Sequence, residues 1–240
     1  LPAAASKPKL LTMLKAIVFD FDGVLVDSEP LHFQAFAQVA RTIGFHFDYQ
    51  RYLADFVGFD DRDSFRHMLT ELGKPADEQR IADLCARKQD AFADLARRGV
   101  PTIPGAIELV HEAAAKMPIA IASGATALDI DLIIRGLRLR DCFEVIVAAD
   151  HVRQSKPHPQ TYALAVEQLA ARHNGLDLTA AHCLAIEDTA FGIQSARAAG
   201  LLTLGLATTG PAENLHQAHR VEPSLAGVSL SQLHHWFDQI

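Results

Sequence analysis

The sequence is poor in cysteine, has no run of basic residues and no long apolar stretch. Its three cysteines, Cys85, Cys142 and Cys183, are odd in number and far apart. That excludes a disulfide framework and the paired spacing of a zinc site, and it reads as reduced core thiols in a cytoplasmic protein. Basic residues number 22 against 29 acidic ones, for a formal net charge of −7. An acidic chain without a lysine or arginine cluster is not built for nucleic acid or an anionic membrane. Any phosphate it binds must be met by local positive charge. No apolar run reaches the roughly 18 residues of a membrane span. The first dozen residues, Leu1 to Thr12, lack the apolar stretch of a secretory signal and read as a flexible N-terminal extension, with Met13 a candidate natural start. A monomer is the expectation.

What the chain does have is apolar residues, 49% of its 240, arranged as short runs between helical patterns. Ala16–Phe19, Ile119–Ala122, Val145–Ala148, Cys183–Ile186 and Leu202–Leu206 are such runs. None alternates with polar residues, so both faces of each are expected to be covered, as in a parallel sheet between helices. Helical patterns at Ala106–Lys116, Leu128–Ile134, Gln160–Ala171 and Ala190–Ala199 complete a strand–helix rhythm. The expected fold class is α/β, a doubly wound parallel sheet. About a hundred residues between the first two runs break the rhythm and read as helices instead. Pro30 opens one and Gly44 ends it; two more stop at Gly73 and Gly99. The expected organisation is a core of 13–28 and 104–240 with an inserted helical lid of 29–103.

Four stretches fall at the C-terminal ends of the expected strands, the edge where open parallel sheets bind ligands. They are Asp20-Phe21-Asp22-Gly23-Val24, Ser123-Gly124, Lys156-Pro157 and Glu187-Asp188. Carboxylates gathered within about 4 Å would repel by about 4 kcal/mol per pair at an effective dielectric near 20. Such a cluster persists only with a bound cation or shifted pKa values. An all-oxygen donor set from Asp20, Asp22, Glu187 and Asp188 suits Mg²⁺. That chemistry fits phosphoryl transfer. Asp20 is the nucleophile, and Asp22, two residues on, protonates the leaving alcohol and later takes a proton from water. Lys156 supplies positive charge and Ser123 a hydroxyl for the phosphate, while Gly23 and Gly124 let backbone N–H groups approach it.

The stretch from Asp20 to Ser28 resembles the first motif of the haloacid dehalogenase superfamily, and Ser123, Lys156-Pro157 and Ile186-Glu187-Asp188-Thr189 resemble its second, third and fourth, in order. Within it the chain resembles the branch holding β-phosphoglucomutase and small sugar-phosphate phosphatases. The resemblance implies Mg²⁺ held by the Asp20 carboxylate, the Asp22 carbonyl and Asp188, with Glu187 adjacent. It also sets Asp22 against two relatives: dehalogenases and phosphonate-cleaving members lack this second aspartate, so a phosphate ester leaving as an alcohol is favoured.

Mutases of this branch carry a second phosphate site that resembles Lys-Gly-x-x-Arg-x-x-Ser. Here the corresponding stretch is Val57 to Ser64, with Val57 for the lysine and Asp61 for the arginine. Arg62 is one place along, about 100° round a helix. A phosphatase acting on a small, sugar-type monophosphate is therefore expected, with a β-phosphoglucomutase-type mutase as the alternative. His32, Gly58, Arg62 and Ser64 are candidate substrate contacts of the lid. Each residue also has a plain structural reading: Asp20, Asp22, Glu187 and Asp188 as helix caps or solvated acids, Ser123-Gly124 as a turn, Lys156 as a surface lysine. A signalling receiver domain gathers similar groups, but is about half this length and has no insert.

Overall fold

The computed structural model describes residues 13–56 and 59–240. The expected N-terminal extension and Gly58 lie outside the described residues. Six strands form one sheet: β1 (Ala16–Phe19), β2 (Ile119–Ala122), β3 (Val145–Val147), β4 (Cys183–Glu187), β5 (Leu202–Leu206) and β6 (Arg220–Glu222). Their order is β3-β2-β1-β4-β5-β6, and every pairing is parallel. This is a doubly wound α/β sheet, whose order reverses beside β1. Every residue of β1, β2 and β4 is buried, which explains why their sequences run apolar without alternation.

Five strands match the apolar runs read from sequence. The sixth was not anticipated: β6 is three residues long, reads Arg-Val-Glu and is only partly buried, so it carries no hydrophobic signal. It sits at the sheet edge, where a short charged strand discourages further pairing.

The helices are α1 (Glu29–Ile43), α2 (Tyr49–Asp55), α3 (Asp61–Glu71), α4 (Glu78–Arg98), α5 (Ala106–Ala114), α6 (Ala127–Gly136), α7 (Gln160–Arg172), α8 (Ala190–Ala198) and α9 (Leu230–Phe237). The chain divides into two compact units. The first comprises 13–26, 102–127 and 139–240; the second comprises 27–101 and 128–138. The second thus takes in a segment that reads from sequence as core. Gln89 of α4 donates to Asp129 Oδ1 at 2.7 Å, one tie that draws it in.

In the first unit, α7 lays Tyr162, Ala165, Val166 and Leu169 on the sheet, against Val18, Ala120 and Val145. In the helical unit, α1, α3 and α4 close around Phe36, Phe65, Met68, Leu69, Ile81 and Leu84. Its helix ends follow local chemistry. Gly44 ends α1 in the left-handed region at φ 85°, where a side chain would be strained. Asp48, Asp60 and Asp77 cap α2, α3 and α4 by accepting from the backbone N–H three residues on. No described helix is long and apolar enough to cross a membrane.

Candidate active site

Strand register alone assembles most of the site. β1 ends at Phe19, paired with Ile186 of β4, and the Asp20 N–H donates to the Ile186 carbonyl at 2.9 Å. Asp20 therefore emerges beside Glu187, the last residue of β4, and Asp188. On the other side β1 pairs with β2, which delivers Ser123; its N–H donates to Val147 at 2.9 Å and its hydroxyl accepts from Ala125 N at 2.9 Å. Lys156 comes from the loop before α7. Its ammonium lies 2.9 Å from Asp20 Oδ1 and 2.5 Å from Glu187 Oε1.

Asp20, Glu187 and Asp188 are buried, and one carboxylate oxygen from each lies within 4.8 Å of the others. The three do not have equal freedom. Glu187 is saturated: Oε1 accepts from Lys156 and from the Tyr162 hydroxyl at 3.2 Å, and Oε2 accepts from Asp188 N, Thr189 N and the Thr189 hydroxyl at 2.9–3.0 Å. By contrast Oδ1 of Asp188 is buried without a hydrogen bond, and Oδ1 of Asp20 meets only the Lys156 ammonium, at 2.9 Å. An orphaned buried carboxylate oxygen is costly unless something else satisfies it. Such an atom on Asp188, in a hard, all-oxygen set with Asp20, fits a divalent cation such as Mg²⁺.

The titration behaviour has the same origin. Burial, then the charges of Glu187 and Asp188, hold Asp20 well above the ordinary carboxylate range, although Lys156 opposes them. Burial and Glu187 push Asp188 to about 7, against the hydrogen bond from Thr209. Burial works against ionisation of Glu187 too, yet the Lys156 charge and hydrogen bonds hold it below the usual range. Lys156 is raised: burial disfavours its charge, but Asp20 and Glu187 outweigh that. Lys156 thus bridges Glu187 and Asp20, and one ammonium serves three clustered acids.

Two glycines fit the site by having no side chain. Gly23 has φ +73°, and a Cβ there would stand 2.0 Å from Asp188 Oδ2. A Cβ on Gly192 would stand 1.7 Å from Glu187 Oε1. Gly124 is different: a Cβ there meets nothing within 4 Å, so protein packing does not demand glycine. Asp22 is half-buried, and its side chain is not among the clustered acids. Sequence reading missed Tyr162, Gly192, Thr208 and Thr209. Only Thr208 and Thr209 had a usable signal, as polar residues just after an apolar strand.

The helical unit carries a separate polar pocket of about 200 Å³, lined by Glu29, His32, Phe36, Tyr52, Phe56, Phe59, Asp61 and Lys88. Lys88 is almost wholly buried there. It donates to Asp61 Oδ1 at 2.9 Å, lies 3.1 Å from His32 Nδ1, and stands 4.7 Å from the Phe36 ring centre. An ammonium only donates, so His32 Nδ1 accepts and its proton resides on Nε2. Burial and then the Lys88 charge lower the His32 pKa to about 3, and its ring stacks on Phe92 at 4.2 Å. Tyr52 donates to Glu29. The other expected lid contacts lie elsewhere: Arg62 is in an exposed ion pair with Glu78, and Ser64 is fully buried with an unpartnered hydroxyl. Neither lines this pocket.

The family model described as haloacid dehalogenase-like hydrolase matches residues 17–206. Among curated proteins, the chain is 36% identical over 198 residues to the protein CbbY of Rhodobacter capsulatus, covering 78% of this chain and 83% of the relative. It is 30% identical over 185 residues to the fructose-1-phosphate phosphatase YqaB of Escherichia coli, covering 77% and 92%. Among solved structures it resembles CbbY of Rhodobacter sphaeroides in complex with phosphate, with TM-score 0.77, 27% identity and coverage of 92% and 99%.

Proposed function

The chain belongs to the haloacid dehalogenase-like hydrolase family and is a phosphatase; from that premise we propose that it hydrolyses a small sugar monophosphate with Mg²⁺, through an aspartyl phosphate on Asp20. The observation that carries this reading is the buried, unpartnered Asp188 Oδ1 in an acid cluster with Asp20 and Glu187, where Lys156 pairs with the other two. Asp20, the Asp22 carbonyl and Asp188 would hold the ion, which supplies the positive charge that lets a carboxylate meet a phosphate dianion.

The remaining steps belong to side chains. Asp20 attacks phosphorus, forming a P–O bond as the ester P–O bond breaks. Asp22 gives its proton to the departing alkoxide. It then takes a proton from the water whose oxygen attacks phosphorus, releasing inorganic phosphate and restoring Asp20. Lys156, held by Glu187, neutralises charge on the phosphoryl oxygens, and the Ser123 hydroxyl bonds one of them. Glu187, with every lone pair engaged, serves chiefly to aim Lys156.

In the helical unit's own pocket Lys88 is already engaged by Asp61, and Glu29 with a neutral His32 leaves that pocket acidic. A hydrolase is favoured over a mutase by the relatives named as phosphatases. The sugar class follows the name of the YqaB relative. The test is phosphate release from a panel of sugar, glycolate and nucleotide monophosphates with Mg²⁺. Turnover is expected on sugar monophosphates and abolished by a chelator. Rapid interconversion of hexose 1- and 6-phosphates with little free phosphate would overturn the hydrolase reading.

A further inference from the structure

The loop after β5 supplies two adjacent threonines that tie two parts of the site together. β5 pairs with β4 so that Glu187 lies opposite Gly205, and residues just past β5 therefore run beside Asp188. Thr208 donates its hydroxyl to the Gly23 carbonyl at 2.6 Å. Thr209 is exposed as a residue, but its hydroxyl turns onto Asp188 Oδ2 at 2.5 Å. Its methyl stands 2.8 Å from where a Cβ of Gly23 would be. The two threonines thus grip the turn after Asp20 and the acid after β4 from one loop.

The consequence lies in which oxygens remain free. Asp188 has two; Thr209 occupies Oδ2, and Oδ1 is the buried, unpartnered one. A carboxylate without that bond is free to rotate about its last torsion, where the wells are broad. We propose that Thr209 is a positioning residue: its hydroxyl fixes the Asp188 carboxylate so that Oδ1 alone faces the cation. This rests on the reading of Asp188 as a Mg²⁺ ligand. Partners of metal ligands commonly set affinity by ten- to a hundredfold.

The experiment is calorimetric titration of metal-free protein with Mg²⁺, using wild type, Thr209→Val and Thr209→Ser, alongside the metal-free melting temperature of each. Valine keeps the shape and removes the hydroxyl; serine keeps the hydroxyl and removes the methyl. Thr209→Val should bind Mg²⁺ at least about tenfold more weakly and should recover phosphate release at high Mg²⁺. Thr209→Ser should bind like wild type, which a role in packing alone does not predict. Equal affinity in Thr209→Val and wild type, or equal weakness in both variants, overturns the positioning role. Wild-type protein that binds no Mg²⁺ overturns instead the metal reading on which it rests.

Discussion

Glu187 has no lone pair left to give, and the residue that makes this arrangement possible is Gly192. Its Cα sits so close that a methyl group would occupy the space of Oε1 and Oε2, at 1.7 and 2.2 Å. The carboxylate cannot retreat, since five donors hold it. Gly192→Ala should therefore break the Lys156–Glu187 pair and strand a buried charge, a loss of about 3–5 kcal/mol. Urea denaturation checks this; a variant within about 0.5 kcal/mol of wild type contradicts it. His32 gives a second prediction at this scale. Its folded pKa of about 3 lies below the ordinary 6.5, so between those values the unfolded chain binds a proton that the folded one refuses. Stability present at pH 7 is then lost as pH falls through that window, by up to a few kcal/mol. His32→Asn keeps an acceptor for Lys88 but does not titrate, and its stability should fall less between pH 7 and pH 4.5. An identical decline in both proteins argues against His32 as the source. Which residues were legible in the sequence follows from their position. Asp20, Lys156, Glu187 and Asp188, which the fold brings together, stand at strand ends or beside a proline-marked loop, where sequence could point to them. Tyr162 and Lys88 sit inside ordinary helical patterns, and only the fold shows what they touch.

Helices and strands were legible in proportion to their apolar signal and their punctuation. α1, α3 and α4 each carry a stripe and end at or just before a glycine, so sequence located them. α2 has seven residues and buries only Tyr52, too short for a stripe. β6 and α9 lie beyond the last long apolar run, and α9 buries only Leu230, Leu233 and Phe237. The helical unit's core makes its own prediction. Leu69 is fully buried among Phe36, Phe65, Met68 and Ile81. Leu69→Ala should lower stability by about 2–5 kcal/mol through lost transfer energy and the cavity left behind. The midpoint of urea denaturation should fall with little change in its slope. A shift below about 1 kcal/mol would mean that the cluster collapses around the gap.

Across the whole molecule, an acidic chain is proposed to handle an acidic substrate. With a formal charge of −7, the protein has no global field to attract phosphate, so the attraction must be local. One partly buried lysine, Lys156, and a cation among the acids provide it in this reading. The doubly wound order sets where that happens, since β1 is the strand beside which the order reverses and Asp20 is the first residue past its end. The most direct test of the central claim is to quench the enzyme during turnover of a phosphate-labelled sugar monophosphate with Mg²⁺, reduce any acyl phosphate with borohydride, and map the peptides. Reduction should mark the peptide at Asp20 and no other, and Asp20→Asn should show neither the mark nor turnover. Substantial turnover by Asp20→Asn, or a mark at a different carboxylate, contradicts the account.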